Sequence, residues 1–477
     1  MNNLLQYKNF YLVGIKGVAM TSLTQCLIDA GKNVRGSDVK ENFVTKKHLD
    51  RLKIKIDIDF ESDIPANVDC VVYTAAHQGK YNSQVIRAQK KGLATYSHAE
   101  ALAILVNQKK GIAVCGVGGK STVSAMITWI LTKTKKDISF SVGVGDIINL
   151  NKTGQWTKNS DFFIAEADEY VTDPLAVQHG EEITPRFSYL KPYITVCNSL
   201  KYDHPDVYRD YQHTKEVFAE FFGQIKDNGF LIFNSDNYDL AQIARQKNNT
   251  HLISFGTSDN ATFQLIDHLS IEGKNSGTFL YKAEGREIPH ILTLKVPGKF
   301  NIMNGLAAIA ACYAAGIDVK KSVKALSDFA STLRRFEFVG EKSGIKYYDD
   351  YAHHPSEVKA AIKALNEWCP NNRKIIAFQS HTFSRTQQLF NDFVDAFADC
   401  QEVVMIDIFP SAREKFDPTV SSDLLCKKIR EKYPQIKAEN LKTHQAMAEY
   451  LQKKLKKGDV CITLGAGDIN KVHQLIK

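Results

Sequence analysis

Short apolar segments alternate with helical segments along most of this chain of 477 residues. Near the N-terminus the apolar segment NFYLVGI precedes a helical segment, VAMTSLTQCLIDAG, which Gly31 closes, and a second apolar segment, NVRGSD. The alternation continues with the apolar segment DCVVYTAA and the helical segment YSHAEALAILVNQ. Such spacing predicts parallel strands joined by right-handed helical crossovers. The sequence therefore predicts an α/β fold.

The chain is longer than one hydrophobic core usually organises, so we expect two to four domains. A new apolar strand, GIAVCGVG, starts a second βα series, and a more polar, β-rich passage follows at roughly residues 250 to 295. A third series contains the strands KIIAFQS, EVVMIDI and DVCITLGAGD. We place the domain boundaries near residues 108 and 332. The predicted domains are residues 1–107, 108–331 and 332–477.

Composition excludes several classes of protein. The formal net charge is only +8, without a dense Lys/Arg tract, so nucleic-acid binding is not expected. The sequence has neither an N-terminal secretion signal nor an apolar run of 18 residues, so we expect no membrane insertion. Its nine cysteines include no C-x-x-C pair, which favours reduced thiols over a disulfide framework. We expect a soluble, cytoplasmic protein.

The segment CGVGGKSTVSAM resembles a phosphate-binding loop, although Val114 stands where the usual motif has its first glycine. The loop joins a strand to a helix, which directs backbone N–H groups and the positive helix end at an anion. Gly116, Gly118 and Gly119 would let the backbone approach phosphate oxygens, and Lys120 is expected to be an exposed loop lysine that serves them. A tight βα turn with a bystander lysine is the alternative interpretation.

Polar residues also follow the two strands FFIAEAD and YITVCNSL. In open α/β sheets the ligand crevice lies at the carboxyl ends of the strands, and Mg²⁺ prefers oxygen ligands. Taken singly, each cluster is more often a solvated loop than a site. The polar candidates at these two strand ends are Glu166, Asp168, Glu169, Asn198, Asp203, His204 and Asp206.

Together these segments resemble the Mur ligases, ATP-dependent amide-forming enzymes of bacterial peptidoglycan precursor synthesis. The resemblance covers essentially the whole chain. Besides the phosphate loop, it rests on YLVGIKGVAMTSL, RRFEFVGE, DDYAHHPSEV, FQSHTFSRT and LGAGDI. It implies an N-terminal Rossmann-like domain that binds a UDP-sugar, a central P-loop-type ATPase with a mixed sheet, and a C-terminal Rossmann-like domain that binds the amino acid.

The resemblance also implies roles for individual residues. The substrate-binding residues would be Gly14, Ile15, Gly17, Met20, Asp38, Thr74, Tyr351, His353 and Arg385. The nucleotide would be held by Gly116, Gly118, Gly119, Lys120, Ser121, Thr122, Asn301, Asn304, Arg335 and Asp350. Metal ligands would be Ser121, Glu166 and His204. Catalytic roles would fall to Lys120, His204, Arg335, His353 and Arg385.

The implied reaction joins L-alanine to the carboxylate of UDP-N-acetylmuramate with ATP and Mg²⁺, in a monomer or weak homodimer. The sequence departs from the usual family pattern at Val117, Gly118, Phe300 and Thr382. Two alternatives therefore remain open. One is a ligase that attaches a murein tripeptide in recycling, and the other is a non-catalytic nucleotide-binding relative.

Without the resemblance, the residues of the third domain have plainer interpretations. His353 and His354 precede Pro355, which suits the first turn of a helix, and could form only a helix-entry loop. Arg385 could be an ordinary surface arginine.

Overall fold

The computed structural model describes residues 3–204, 207–271, 273–410 and 416–476. The chain divides into two compact units. The first consists of Met1–Asp267, Gly277–Leu292 and Met303–Thr332, and the second of His268–Ser276, Thr293–Ile302 and Leu333–Lys477. The described residues form three sheets, so the predicted α/β class is confirmed. The domain limits drawn from the sequence stay a prediction.

The first sheet has the strand order β3-β2-β1-β4-β5, and all its strand pairs are parallel, as the alternation predicts. Its elements are β1 (Asn9–Val13), α1 (Val18–Asp29), β2 (Asn33–Ser37), α2 (Lys46–Arg51), β3 (Ile56–Asp57), β4 (Cys70–Tyr73), α3 (Ser83–Lys90), β5 (Ala94–Ser97) and α4 (His98–Asn107). Single 3₁₀ turns lie at Leu4–Gln6 and Gly79–Tyr81. Helix α4 begins at a capping box in which Ser97 and Glu100 bond each other's backbone N–H groups.

The second sheet is mixed, with the order β15-β14-β13-β12-β11-β10-β6-β9-β7-β8. Its first elements are β6 (Lys110–Cys115), α5 (Lys120–Lys133), β7 (Ile138–Ser141), β8 (Gly154–Gln155), β9 (Phe162–Glu166), α6 (Pro174–Gln178), a 3₁₀ turn (Arg186–Tyr189) and β10 (Ile194–Cys197). There follow α7 (Tyr211–Phe222), β11 (Phe230–Asn234), α8 (Tyr238–Arg245), β12 (His251–Gly256), β13 (Phe263–Ile271), β14 (Lys274–Ala283), β15 (Arg286–Leu294), α9 (Lys299–Ala314) and α10 (Val319–Leu326). Strand β6 pairs in parallel with both β9 and β10, while β7 and β8 are antiparallel.

The third sheet has the order β16-β17-β21-β18-β19-β20. Its elements are β16 (Glu337–Lys342), β17 (Ile345–Asp350), α11 (Pro355–Trp368), β18 (Lys374–Phe378), α12 (Phe383–Gln388), α13 (Phe390–Ala396), β19 (Glu402–Met405), α14 (Ser422–Lys432), β20 (Lys437–Asn440), α15 (His444–Lys454), β21 (Val460–Leu464), a 3₁₀ turn (Ile469–Lys471) and α16 (Val472–Leu475). Hydrophobic residues cover both faces of this sheet, which is typical of a sheet between two helical layers. The antiparallel pair β16–β17 is not among the strands that the sequence analysis predicted.

Within the first unit, the first two sheets share one hydrophobic cluster that includes Leu12, Leu105 and Phe163. A buried polar contact ties them further. The Gln25 carboxamide of α1 accepts the N–H groups of Thr153 and Gly154 at 3.0 Å each, and its Nε2 donates to Thr153 Oγ1 at 3.1 Å. This side chain therefore satisfies backbone groups beside β8 that water cannot reach.

We predict that Gln25→Ala lowers the free energy of unfolding by about 2–4 kcal/mol, because it leaves two buried N–H groups without an acceptor and opens a small cavity. Urea unfolding at neutral pH measures the change. The control is Gln89→Ala on the exposed face of α3, for which we expect a change within about 0.5 kcal/mol. Equal, small changes in both variants would show that the Gln25 contact contributes little to stability.

Candidate active site

The glycine-rich loop joins the end of β6 to the start of α5 and has the geometry of a phosphate site. Gly116, Gly118 and Gly119 all have positive φ, at 101°, 86° and 82°. A Cβ on Gly116 would lie 2.6 Å from the Ser199 carbonyl oxygen, and one on Gly119 would lie 2.5 Å from the side chain of Asn304. Only glycine fits these positions. Gly119 also has no side chain to cap α5, which suits a helix whose first turn binds an anion.

Lys120 begins α5 and is mostly buried, so its expected exposure is wrong. Its ammonium lies 2.8 Å from both carboxylate oxygens of Glu169 and 4.0 Å from Asp168 Oδ1. Burial would lower the pKa of Lys120, but the charges of Glu169 and Asp168 outweigh it and raise the pKa. The structure therefore holds a permanent cation directly behind the glycine loop.

The predicted metal ligands fall into two neighbouring groups. Ser121 donates its hydroxyl to Glu166 Oε2 at 3.0 Å, and Glu166 Oε1 accepts the N–H of Gly143 at 2.7 Å. The third predicted ligand, His204, has its ligand atom within 4.8 Å of oxygens of Asp168 and Glu169, which are within the same distance of each other. A hydroxyl and several carboxylate oxygens form a donor set that fits Mg²⁺.

Asp168 also forms an ion pair that the sequence analysis missed. Arg186 Nη1 lies 2.6 Å from Asp168 Oδ2, and the guanidinium is 5.4 Å from the centre of the Tyr170 ring. Burial raises the pKa of Asp168, but Arg186, Lys120 and His204 together lower it well below its usual range. Arg186 lies in a segment, TPRFSYL, with no motif that could have identified it.

His204 has a positive φ of 61°, and its ring centroid lies 4.5 Å from that of Tyr170. Its Nε2 is 3.7 Å from Asp203 Oδ2. Asp206, also a candidate from the sequence, lies outside the described residues. Thr122, another predicted nucleotide-binding residue, is buried in α5.

Two of the predicted nucleotide-binding residues, Asn301 and Asn304, lie one turn apart on α9. Asn301 Nδ2 donates to the carbonyl of Pro297 at 2.7 Å. Asn304 Oδ1 accepts from Asn198 Nδ2 at 3.2 Å, and Asn198 Nδ2 is 3.4 Å from the carbonyl of Gly118. Asn304 and Asn198 therefore support the glycine loop directly, whatever base binds there.

The predicted UDP-sugar residues surround the turn between β1 and α1. Gly14 has a φ of 81°, and a Cβ there would lie 2.3 Å from Thr74 Cγ2. Asp38 is buried at the end of β2 and accepts the N–H of Lys16 at 2.7 Å, which fixes the turn. Gly17 is the residue before α1. Such a turn at a helix N-terminus suits a pyrophosphate.

The side chains of Ile15 and Met20 are less than 2% exposed and lie in the hydrophobic cluster of the first unit. Their positions permit binding only through the backbone.

In the second unit, Asp350 ends β17 and is buried. Its carboxylate accepts the N–H groups of Phe336 and Ala352 at 2.7 Å each. Burial raises the pKa of Asp350 to about 6, although the nearby charge of Arg335 opposes the rise. Arg335 itself lies 4.9 Å from the centre of the Tyr351 ring.

His353 and Arg385 occupy the same unit. His353 Nδ1 lies 3.0 Å from the Tyr351 carbonyl and 3.3 Å from Glu357 Oε2, so the ring is oriented by two oxygens. Arg385 is only 5% exposed and is therefore no surface arginine. Its Nη1 is 3.3 Å from His381 Nδ1.

His354 is the N-cap of α11 and Pro355 its first residue, as the helix-entry interpretation predicts. Thr382 caps α12 with a positive φ of 71°, which is rare for a β-branched residue.

Among the described residues no helix is long and apolar enough to cross a membrane.

Comparison with known proteins gives consistent matches over the whole chain. Residues 9–110 match the family model described as Mur ligase family, catalytic domain. Residues 114–312 match the Mur ligase middle domain, and residues 334–467 the Mur ligase, glutamate ligase domain. The UDP-N-acetylmuramate–L-alanine ligase of Acetivibrio thermocellus is 34% identical over 474 residues, which cover 98% of this chain and 96% of that protein.

Two solved structures have the same fold. The UDP-N-acetylmuramate–alanine ligase of Thermotoga maritima aligns with a TM-score of 0.77 at 20% identity, covering 98% of both chains. A murein peptide ligase from Psychrobacter arcticus aligns with a TM-score of 0.72 at 21% identity, again over 98% of both chains. At these identities the likeness concerns the fold alone.

The pKa of His98, the first residue of α4, yields a prediction. Burial, followed by the charge of Arg186, lowers this pKa to about 4, and Nε2 is buried without a hydrogen-bond partner among the described residues. The unfolded chain binds the proton near pH 6.5, so stability should fall as pH drops from about 6.5 to 4, by on the order of 2 to 3 kcal/mol.

NMR titration of the imidazole and urea unfolding between pH 4 and 7 measure both effects. His98→Asn should remove this part of the pH dependence. The free energy of unfolding of this variant at pH 7 is the reference for its values at lower pH. An imidazole that titrates near pH 6.5 in the folded protein would contradict the prediction.

Proposed function

The chain belongs to the Mur ligase family, and on that premise we propose that it joins L-alanine to the carboxylate of UDP-N-acetylmuramate with conversion of ATP to ADP and phosphate. It is an ATP-dependent amide-forming ligase of peptidoglycan precursor synthesis. The observation that carries the nucleotide part of this proposal is the glycine loop with Lys120 and Ser121 behind it, next to the carboxylates of Glu166 and Glu169. Full-length similarity to a ligase named for L-alanine supports the choice of amine.

The reaction must activate a carboxylate, whose oxide is a very poor leaving group. The carboxylate of the sugar attacks the γ-phosphorus of ATP, the bond to the β,γ-bridging oxygen breaks, and ADP leaves behind an acyl phosphate. The amine of L-alanine then attacks the acyl carbon, phosphate leaves with the bonding electrons, and the amine loses a proton. The protein contributes positioning and neutralisation of charge.

Lys120 supplies a fixed cation for the transferring phosphoryl group. In the structure its charge is compensated by Glu169, and phosphate oxygens would take over part of that contact. Because the ammonium is already desolvated and charged, it would need little reorganisation at the moment of reaction. Ser121, Glu166 and His204 would hold Mg²⁺, with Asp168 and Glu169 beside them, and the ion would neutralise phosphate charge.

His353 and Arg385 would act on the amino acid. Arg385 offers a planar fork of N–H donors that matches a carboxylate. His353 Nδ1 faces the Tyr351 carbonyl, so the proton belongs on Nδ1 and Nε2 is the basic nitrogen. We assign to His353 Nε2 the acceptance of a proton from the amine.

The remaining assignments follow the same premise. Residues 1–107 would bind the UDP-sugar through Gly14, Gly17, Asp38 and Thr74, with Ile15 and Met20 contributing backbone. Residues 108–331 would bind ATP with help from Arg335 and Asp350, and residues 332–477 would bind the amino acid. The enzyme would act in the cytoplasm as a monomer or weak homodimer. The limits of the three family-model matches support this division.

The test is ADP release in the presence of ATP, Mg²⁺ and UDP-N-acetylmuramate, with L-alanine, glycine, L-serine or a murein tripeptide offered in turn. We expect L-alanine to give the highest kcat/KM. Release that only the tripeptide stimulates would replace the proposal with the recycling reaction. Nucleotide binding without ADP formation from any amine would indicate a non-catalytic relative.

We predict that Lys120→Ala lowers kcat by at least about a hundredfold, because it removes a cation that acts on the transferring phosphoryl group. Steady-state ADP release measures the loss, and circular dichroism checks the fold. The control is Lys109→Ala. Lys109 lies before β6, at the opposite end from the glycine loop, and donates to the carbonyls of Thr157 and Ser160 at 3.0 and 2.8 Å. A Lys120→Ala enzyme with more than about a tenth of wild-type turnover would contradict the assignment.

We predict that Arg385→Ala raises the KM for L-alanine roughly ten- to a hundredfold, with much smaller changes in KM for ATP and UDP-N-acetylmuramate. A charge-assisted contact to a carboxylate is worth about 1.5–3 kcal/mol. Arg385→Lys should recover little, since an ammonium lacks the bidentate fork. Alaninamide should be a poor substrate that is nearly insensitive to the change.

The control variant is Arg430→Ala, since Arg430 donates to the carbonyl of Ala438 in the same unit. It should leave all three KM values unchanged. If Arg385→Ala instead weakened the binding of ATP or of the UDP-sugar, Arg385 would bind a phosphate group. The amino-acid pocket would then have to be sought at Tyr351 and His353.

A further inference from the structure

Arg334 precedes Arg335 and makes an unusually complete set of contacts for a residue with no assigned role. Its Nε lies 3.0 Å from Asp349 Oδ2, and its two terminal nitrogens donate to the carbonyls of Gly467 at 2.9 Å and Gly465 at 2.6 Å. All three acceptors are fixed by the third sheet or by the loop after β21. Three of the five N–H donors of the guanidinium, one on each nitrogen, therefore have acceptors within the second unit.

The acceptor carboxylate is itself held in place. Asp349 is 2% exposed, and its second oxygen accepts the hydroxyl of Thr463 at 2.5 Å. Thr463 Oγ1 lies in turn 2.8 Å from His473 Nε2 on α16. Arg334 is thus anchored to a connected chain of side chains across β17, β21 and α16, of which Asp349 and Thr463 are buried, and such networks hold a single geometry.

The backbone of Arg334 is fixed as firmly as its side chain. Its N–H donates to Glu337 Oε2 at 2.8 Å, and its carbonyl accepts the N–H of Tyr351 at 2.8 Å. Arg334 and Phe336 both have positive φ, at 61° and 46°. Residues other than glycine keep such angles only where the surroundings impose them. Here the contacts of Arg334, and the hydrogen bond from the Phe336 N–H to Asp350, impose these angles.

These contacts fix the backbone position from which the Arg335 side chain extends. Arg335 lies between two residues of forced conformation, and its guanidinium and that of Arg334 lie 4.9 and 5.1 Å from the centre of the same Tyr351 ring. The charge of Arg335 also reaches Asp350 and Glu357. A change in the Arg334 conformation would move the Arg335 backbone and the Tyr351 ring together.

We propose that Arg334 is a positioning residue, which fixes the direction in which Arg335 and Tyr351 are presented to the substrates. This inference rests on the proposed function, because it concerns the acyl-phosphate reaction in which Arg335 would take part. A purely structural arginine, which only holds the third sheet and the loop after β21 together, is the competing explanation. The two explanations differ in whether the effect of Arg334 depends on Arg335.

A double-mutant cycle separates the explanations. Arg334→Lys keeps the charge but cannot bond Asp349 and both carbonyls in one plane, and we expect kcat to fall at least about tenfold in a wild-type background. In an Arg335→Lys background the same change should alter kcat by no more than about threefold, because the group that Arg334 positions has already been replaced. All rates are measured well below the melting temperature, with the folded fraction checked by circular dichroism.

Arg373→Lys is the matched control. Arg373 also bonds a carboxylate, Asp459 at 2.6 Å, and a backbone carbonyl, Lys454 at 2.5 Å, in the same unit. Its replacement should affect kcat by less than about twofold in either background. Equal losses from Arg334→Lys in both backgrounds, or no loss in the wild-type background, would overturn the proposal. A wild-type enzyme that forms no ADP with L-alanine would instead refute the proposed function.

Discussion

The parallel pairing of β6 with β9 on one side and β10 on the other is the constraint on which the nucleotide site depends. Parallel strands bring their carboxyl ends to one edge of the sheet. The glycine loop after β6, the carboxylates after β9 and the polar segment after β10 therefore converge, although they are separated by tens of residues in the chain. The contacts of Ser121 with Glu166, and of Asn198 with the glycine loop, are direct results of this pairing.

The charges that meet at this edge compensate one another. Lys120 lies between Glu169 and Asp168, and Arg186 binds the far side of Asp168. Removing charges from water is expensive unless each has a partner, so each member of this network depends on the others. The result is a set of ionised groups held in place before any phosphate arrives, which is the arrangement that electrostatic catalysis requires. In the second unit, polar side chains are likewise held by neighbouring groups. The N–H of Phe336 bonds Asp350, the carbonyl of Tyr351 orients His353, and Asp349 binds Arg334.

The local elements could be predicted because hydrophobic period and turn residues act over a few positions. Helix α5 begins at Lys120, directly after the glycine loop, as the predicted strand–loop–helix arrangement requires, and Pro355 begins α11. The antiparallel strands β16 and β17 were missed because the segment between the predicted domain boundary near residue 332 and helix α11 was interpreted only for the family motifs that it carries. The exposure of Lys120 was also misjudged, and the alternative of a surface position for Arg385 was wrong, since exposure depends on what other segments pack there. Arg186 and Arg334 could not be found as contact residues from the sequence, because their partners lie far away along the chain or are backbone carbonyls.

The sequence by itself determined the fold class, the glycine loop, the strand-end carboxylates and, through its motifs, the family. These depend on periodicity and on residue types at short spacing, which the chain displays directly. Only the tertiary structure decided that Lys120 pairs with Glu169, that His204 faces Asp168 and Glu169 while Ser121 meets Glu166, and that Arg334 anchors the backbone beside Arg335. The physical reason is that ion pairs and hydrogen bonds act over a few ångströms, and strand order and register, set by packing of the whole chain, choose which distant residues come that close.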